Sequence, residues 1–241
     1  MIHLKNVYKQ WDNIPVLENI SLEIEDGKIF CLVGMSGSGK SVTTKLILGL
    51  EKPDRGQILI DGKDTHSFSD EDWRGILSNF GVVFQNAALF SSLTIYENIG
   101  IRLIEEKKEE ANEIKDKVVA VLEKVGLKSE ILKKYPDELS GGMRKRVGIA
   151  RAIIHKPKYL IYDEPTTGLD PVNANLIDQL IFDLDNENPD ITSIVITHDF
   201  HTVKKLNGNT VMIHNRGIYF SGKTRDFLDS KDPEILSFLS R

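Results

Sequence analysis

The sequence predicts an α/β fold, a mostly parallel sheet carrying a helical sub-lobe, on three observations. Short apolar, β-branched runs recur and stop abruptly at polar or glycine residues, at 28–33, 57–60, 81–84, 159–162, 193–197 and 210–214. Tyr159-Leu160-Ile161-Tyr162 and Ile194-Val195-Ile196 show no polar alternation, which suits strands covered on both faces, as in parallel sheets. Helical spacing fills the intervals. In 109–126 the apolar residues Ile114, Val118, Val121, Leu122 and Val125 recur at helical offsets, with Gly126 as the stop. The middle third, residues 88–155, has helical spacing and no strong strand, so it reads as a sub-lobe on the sheet.

Composition narrows the class further. A length of 241 residues suits one large α/β unit rather than two average domains. The single cysteine, Cys31, excludes an intrachain disulfide framework. A net charge of −5 advertises no global affinity for nucleic acid. No apolar run approaches the ~20 residues that span a bilayer, and residues 1–6 lack the basic and apolar segments of a secretory leader.

Gly34-Met35-Ser36-Gly37-Ser38-Gly39-Lys40-Ser41 matches G-x-x-x-x-G-K-[ST], between a predicted strand and the helical pattern at 42–50. Glycines let consecutive N–H groups turn inward around phosphate oxygens, and the following helix start adds its positive dipole end. Lys40 would reach the β- and γ-phosphates of a nucleotide, and Ser41 would ligate Mg²⁺. Gly34, Ser36, Gly37, Ser38, Gly39 and Val42 complete the expected cradle.

In open parallel sheets, ligands bind outside the carboxyl ends of the strands. Three further apolar runs lead there into reactive side chains: Asp163-Glu164, Gln85 and His198. Adjacent carboxylates on an extended chain point in different directions and can divide the work. Asp163 is expected in the Mg²⁺ shell and Glu164 as the general base for an attacking water. Gln85 can contact metal and water, and His198 can donate to a γ-phosphate oxygen.

Leu139-Ser140-Gly141-Gly142-Met143 opens another helical pattern. Ser140 sits at the N-cap position, two glycines bare the backbone, and Arg144, Lys145 and Arg146 add positive charge, so this too reads as an anion-binding helix start. The order of phosphate loop, Gln85, Leu-Ser-Gly-Gly, Asp163-Glu164, Gly168-Leu169-Asp170 and His198 resembles the ATP-binding-cassette (ABC) ATPase family over essentially the whole chain. The resemblance implies a P-loop NTPase of RecA-like, mostly parallel sheet with a small antiparallel β lobe. Residues 1–87 and 156–241 would form the nucleotide-binding core, and 88–155 the signature sub-lobe of a single 1–241 domain. It also implies ATP and Mg²⁺ as ligands, and a head-to-tail homodimer. There Ser140 and Gly142 would face the other subunit's ATP and Asp170 would lie on the seam. Trp11 matches the aromatic that stacks on adenine in that family.

The stretches 82–99, 135–146, 163–171 and 192–199 are similar, more narrowly, to Mla/Mce-type lipid-transport ATPases. Met143 replaces the commoner glutamine of the signature, a feature shared with Mla-like and glycine-betaine-importer cassettes. The betaine type continues into a regulatory module, whereas this sequence ends at Arg241, which favours the lipid type. That likeness implies an integral-membrane permease docked at the loop 86–99, a small accessory cytoplasmic subunit and a substrate-binding Mce-type protein. It places the chain on the cytoplasmic face of the inner or plasma membrane. The alternatives are a small-solute importer of the glycine betaine or amino-acid type and a soluble ABC ATPase. The DNA-acting kind of the latter would need a long coiled coil ahead of the signature, and no sustained heptads occur there.

Overall fold

Residues 1–240 are described in a computed structural model, and Arg241 lies outside them. In chain order the elements are β1 (Ile2–Trp11), β2 (Ile14–Ile24), β3 (Ile29–Gly34), α1 (Lys40–Ile47), β4 (Arg55–Ile60), β5 (Lys63–Asp64) and α2 (Asp70–Leu77). Next come β6 (Phe80–Val83), α3 (Ile95–Glu106), α4 (Ala111–Lys124), α5 (Gly141–Ile153), β7 (Tyr159–Asp163) and α6 (Pro171–Glu187). The chain closes with β8 (Thr192–Thr197), α7 (Phe200–Leu206), β9 (Asn209–His214), β10 (Gly217–Lys223), α8 (Thr224–Leu228) and α9 (Pro233–Leu239).

Two compact units are defined by contacts, one from residues 1–78 with 185–241 and one from 79–184. In the first, β2-β1-β4-β5 form an antiparallel sheet, and β3 runs parallel to both β8 and β9, with β10 antiparallel outside β9. Every residue of β3 and β8 is buried, as the unbroken apolar runs require. The threonine hydroxyls of β8 are engaged within the fold: Thr192 Oγ1 accepts from Gly27 N and Thr197 Oγ1 from Asp199 N.

The register of β3 and β8 fixes the first unit's functional edge. Val33 lies opposite Thr197, so the phosphate loop and His198 leave their strands at the same carboxyl edge. The second unit repeats the device. β6 and β7 are parallel with Val83 opposite Tyr162, which brings Gln85 and Asp163-Glu164 to one edge. The segment 88–155 contains α3, α4 and α5 and no strand. Thr94 caps α3 through a reciprocal box with Glu97, whose carboxyl is held below its ordinary range by the Thr94 hydroxyl and N–H. Gly126, at positive φ just past α4, is the expected stop.

Candidate functional site

The phosphate loop is shaped by contacts that only glycine permits. A Cβ on Gly34 would lie 2.5 Å from Ile213 O and 2.6 Å from Ser38 Oγ, and Gly39 holds φ at 104° as the N-cap of α1. No side chain caps α1 and its first turn holds no acid, so its leading N–H groups face outward with nothing to repel an anion. The Lys40 ammonium, only 6% exposed, folds back to donate to Gly34 O (2.8 Å) and Met35 O (3.1 Å). Ser38 Oγ is shielded from solvent without a hydrogen-bond partner in the protein. A buried cation, an orphaned hydroxyl and open N–H groups on one loop fit a polyphosphate. Ser41 is exposed on the first turn, whereas the Val42 side chain is buried, leaving only its N–H for the nucleotide role expected of it.

Trp11 ends β1 and is 42% exposed, next to a two-residue turn in which Asp12 and Asn13 both take positive φ. Its side chain is therefore accessible to a ligand, as stacking would require. His198, just past β8, is also exposed.

In the second unit, Gln85 is exposed two residues beyond β6. The following Ala87 and Ala88 both hold positive φ, and the Arg151 guanidinium on α5 donates to both of their carbonyls at 2.7 Å. Ala87 packs on α5 at Gly148, where an added Cβ would come within 3.3 Å of the Ala87 Cβ. Asp163 ends β7, half-buried. Glu164 has φ +50°, uncommon for a residue with a Cβ and confined further by Pro165 behind it, a conformation costing about 1–3 kcal/mol unless its surroundings hold it. Three bonds do so. Thr167 N (3.3 Å) and Lys145 Nζ (3.1 Å) both donate to Glu164 O, and Thr167 Oγ1 donates to Glu164 Oε2 at 3.1 Å.

The start of α5 carries Ser140, whose Oγ accepts from Met143 N at 3.3 Å. Its first turn is free of acids as well. Gly142 is closely packed, because a Cβ there would sit 2.9 Å from Asn173 Oδ1 and that side chain would have to shift. Asn173 in turn donates to Asp170, which also accepts from Val172 N and Asn173 N and so caps α6. These bonds, the Asn173 amide first, hold the exposed Asp170 carboxyl below its ordinary range.

The basic run after the signature is tied down by the fold. Arg144 donates to Leu139 O, Lys145 to Glu164 O and Arg146 to Gly126 O. Each of the three cations is thus oriented by a main-chain carbonyl while keeping its charge, Arg144 beside the helix start itself. Sequence reasoning also missed Lys145, Arg151 and Thr167 as holders of the two loops, since a lysine or arginine in a charged helix reads as solvated. The fully buried Asn98, which bonds Phe90, Leu93 and Thr94 main-chain atoms and fixes the loop 90–94, was equally silent.

A family model described as ABC transporter matches residues 17–167. The chain belongs to the ABC transporter ATP-binding family. The cassette is 38% identical over 239 residues to the probable ribonucleotide transport ATP-binding protein mkl of Mycobacterium leprae, covering 99% of this chain and 68% of that protein. The like-named Mycobacterium tuberculosis protein is spanned over 66% of its length. Trigalactosyldiacylglycerol 3, a chloroplastic protein of Arabidopsis thaliana, is 35% identical, with 99% of this chain and 73% of that protein covered. Among solved structures, a dimeric ATP-binding cassette in a post-hydrolysis state with ADP and Pi superposes with a TM-score of 0.83 at 31% identity. That match covers 93% of this chain and 99% of the other. The cassette has the P-loop NTPase fold of ABC proteins and is an ABC ATPase. Among the described residues, no helix is long and apolar enough to cross a membrane.

Proposed function

We propose that the cassette hydrolyses ATP to drive a separate membrane permease that moves lipid. The observation that carries the ATPase reading is the Lys40 ammonium, buried inside a glycine loop at an uncapped, acid-free helix start. Lys40 and the first-turn N–H groups of α1 hold the β- and γ-phosphates, and Trp11 stacks on the base. Mg²⁺ would neutralise charge developing on the transferred phosphoryl group. Among the described residues no cluster of three His, Cys, Asp or Glu side chains could hold a metal. Ser41, Asp163 and Gln85 with phosphate oxygens are a donor set of the kind Mg²⁺ takes, one carboxylate supplemented by substrate. Glu164 accepts a proton from the attacking water, and His198 donates to the γ-phosphate oxygen.

Ser140 and Gly142 would meet the nucleotide held by a second copy, with Asp170 on the seam, a reading supported by the dimeric state of the solved cassette. Phe84 and Phe90, exposed at the end of β6 and in the loop beyond, support a docking face for the permease. The lipid cargo is supported by Met143, by the motif likeness to Mla/Mce-type cassettes, and by the lipid in the name of the Arabidopsis relative. With that cargo go a Mce-type substrate-binding protein, a small accessory subunit, and a peripheral place on the cytoplasmic face of the membrane.

Glu164→Gln tests the chemistry: turnover falls by about 10²–10⁴-fold, ATP binding persists, and a dimer accumulates on gel filtration with ATP. Normal turnover by that variant removes Glu164 from the role of base. Affinity purification from native membranes tests the cargo. Co-purifying permease and phospholipid support it, and a complex whose ATPase responds to ribonucleotide or amino acid but not to lipid overturns it.

A further inference from the structure

We propose that Lys145 is a positioning residue for Glu164: from the signature helix it fixes the main chain of residue 164 in the turn that aims the carboxylate. The inference rests on the reading of Glu164 as the base. Its consequence is that the helix whose N-terminus would meet a second copy's nucleotide also holds the hydrolytic group of its own chain.

Three observations carry it. Lys145 lies in the run Arg144-Lys145-Arg146, where solvent is the default for a lysine, yet it is only 6% exposed and its ammonium reaches Glu164 O at 3.1 Å. Glu164 stands at φ +50° between a strand end and a proline, a backbone state that does not hold itself. Its carbonyl is the point where that state is gripped, by Thr167 N through the turn and by Lys145 from the helix, while Thr167 Oγ1 steers the carboxylate. Burial pushes the Lys145 amine down, and the charges of Glu164 and then Asp163 push it back up, so the cation sits in the field of the carboxylate pair. An apolar side chain of equal length would fill the space without the cost of burying an amine. What the lysine adds is a charged donor at one carbonyl.

The test compares Lys145→Met with Lys145→Gln in the full chain, since the two differ chiefly in an N–H donor. Steady-state ATP turnover, ATP affinity by calorimetry and the thermal unfolding midpoint are measured for both. Lys145→Met is expected to lower kcat by about tenfold to a hundredfold, the scale of a misplaced catalytic group, with KM and ATP affinity unchanged. Lys145→Gln recovers most of that loss. Wild-type kcat in Lys145→Met, or equal losses in both variants, overturns the proposal. So does a Lys145→Met protein that loses its ATP affinity or thermal transition along with kcat, because that assigns the lysine to the scaffold. Glu164→Gln assayed in parallel separates the two readings: normal turnover there refutes the base, whereas its loss beside an intact Lys145→Met refutes only the positioning role.

Discussion

The cassette builds two glycine-flanked helix starts for anions, and they are finished differently. At α1 no side chain caps the helix, the preceding residue is a glycine at φ 104°, and a lysine ammonium is drawn into the loop. At α5 a serine caps the helix with its own hydroxyl, the two glycines lie inside the first turn, and each following cation bonds a main-chain carbonyl, Arg144 that of Leu139 next to the cap. The first is a charged pocket that needs only a ligand. The second is exposed, has one N–H capped by its own serine, and draws no lysine into its loop. A helix start of that kind binds phosphate weakly by itself and adds its N–H groups to a nucleotide already neutralised by another loop. The contrast supports the proposal that the first site binds within a chain and the second acts across two copies.

The largest expected effect breaks that contrast at its charged end. Lys40→Ala removes the cation nearest the phosphates, and ATP affinity of the single chain falls about 10–100-fold, the worth of a charge-assisted bond. Ser140→Ala leaves that single-chain affinity unchanged while lowering turnover where dimers form. Calorimetry on dilute protein reads both. Equal loss of affinity in the two variants would erase the distinction.

Next come the glycines. Gly39→Ala forces a Cβ into the left-handed region and to 2.5 Å from Leu17 Cδ2, and should cost about 1–3 kcal/mol of folding stability. Gly142 has no positive φ, and its added Cβ would meet the end of the Asn173 side chain, which can swing aside. Gly142→Ala should therefore cost less in unfolding yet disturb the Asn173–Asp170 pair. Chemical denaturation compares the two. A Gly142→Ala loss as large as that of Gly39→Ala would mean that α5 is as rigidly specified as the phosphate loop.

Much of this was legible in the sequence, for reasons that differ by region. β3, β7 and β8 announce themselves because strands covered on both faces read as unbroken apolar runs. β1 and β2 do not, because their pairing shifts register at Leu4/Val7 and again beyond, which breaks the alternation a reader counts. β10 hides behind half-exposed residues and glycines. The motif residues of the site were named from spacing and strand context, and Trp11 from the family resemblance. The residues that hold those motifs in place were not. Lys145 and Arg151 act through main-chain carbonyls distant in sequence, Asn98 through several main-chain atoms of the loop just before it, and nothing in local pattern distinguishes a lysine bound to a carbonyl from one in water.

The smallest effect concerns the acid that braces the second helix start. Asp170 is exposed, and its carboxyl is held below the ordinary range by the Asn173 amide first and by the N–H groups of α6. A carboxylate with a lowered folded value lends stability that is complete above its unfolded value, near 3.8, and disappears as pH falls through the folded one. Asp170→Asn should thus unfold slightly more easily than the parent at neutral pH, and the two midpoints should converge in acid. Thermal melts from pH 7 down to acid below that lowered folded value measure the gap. A gap that persists at the acid end would show that Asp170 works through packing against Asn173 rather than through its charge, and that the α5 start, unlike the phosphate loop, owes its shape to neutral contacts alone.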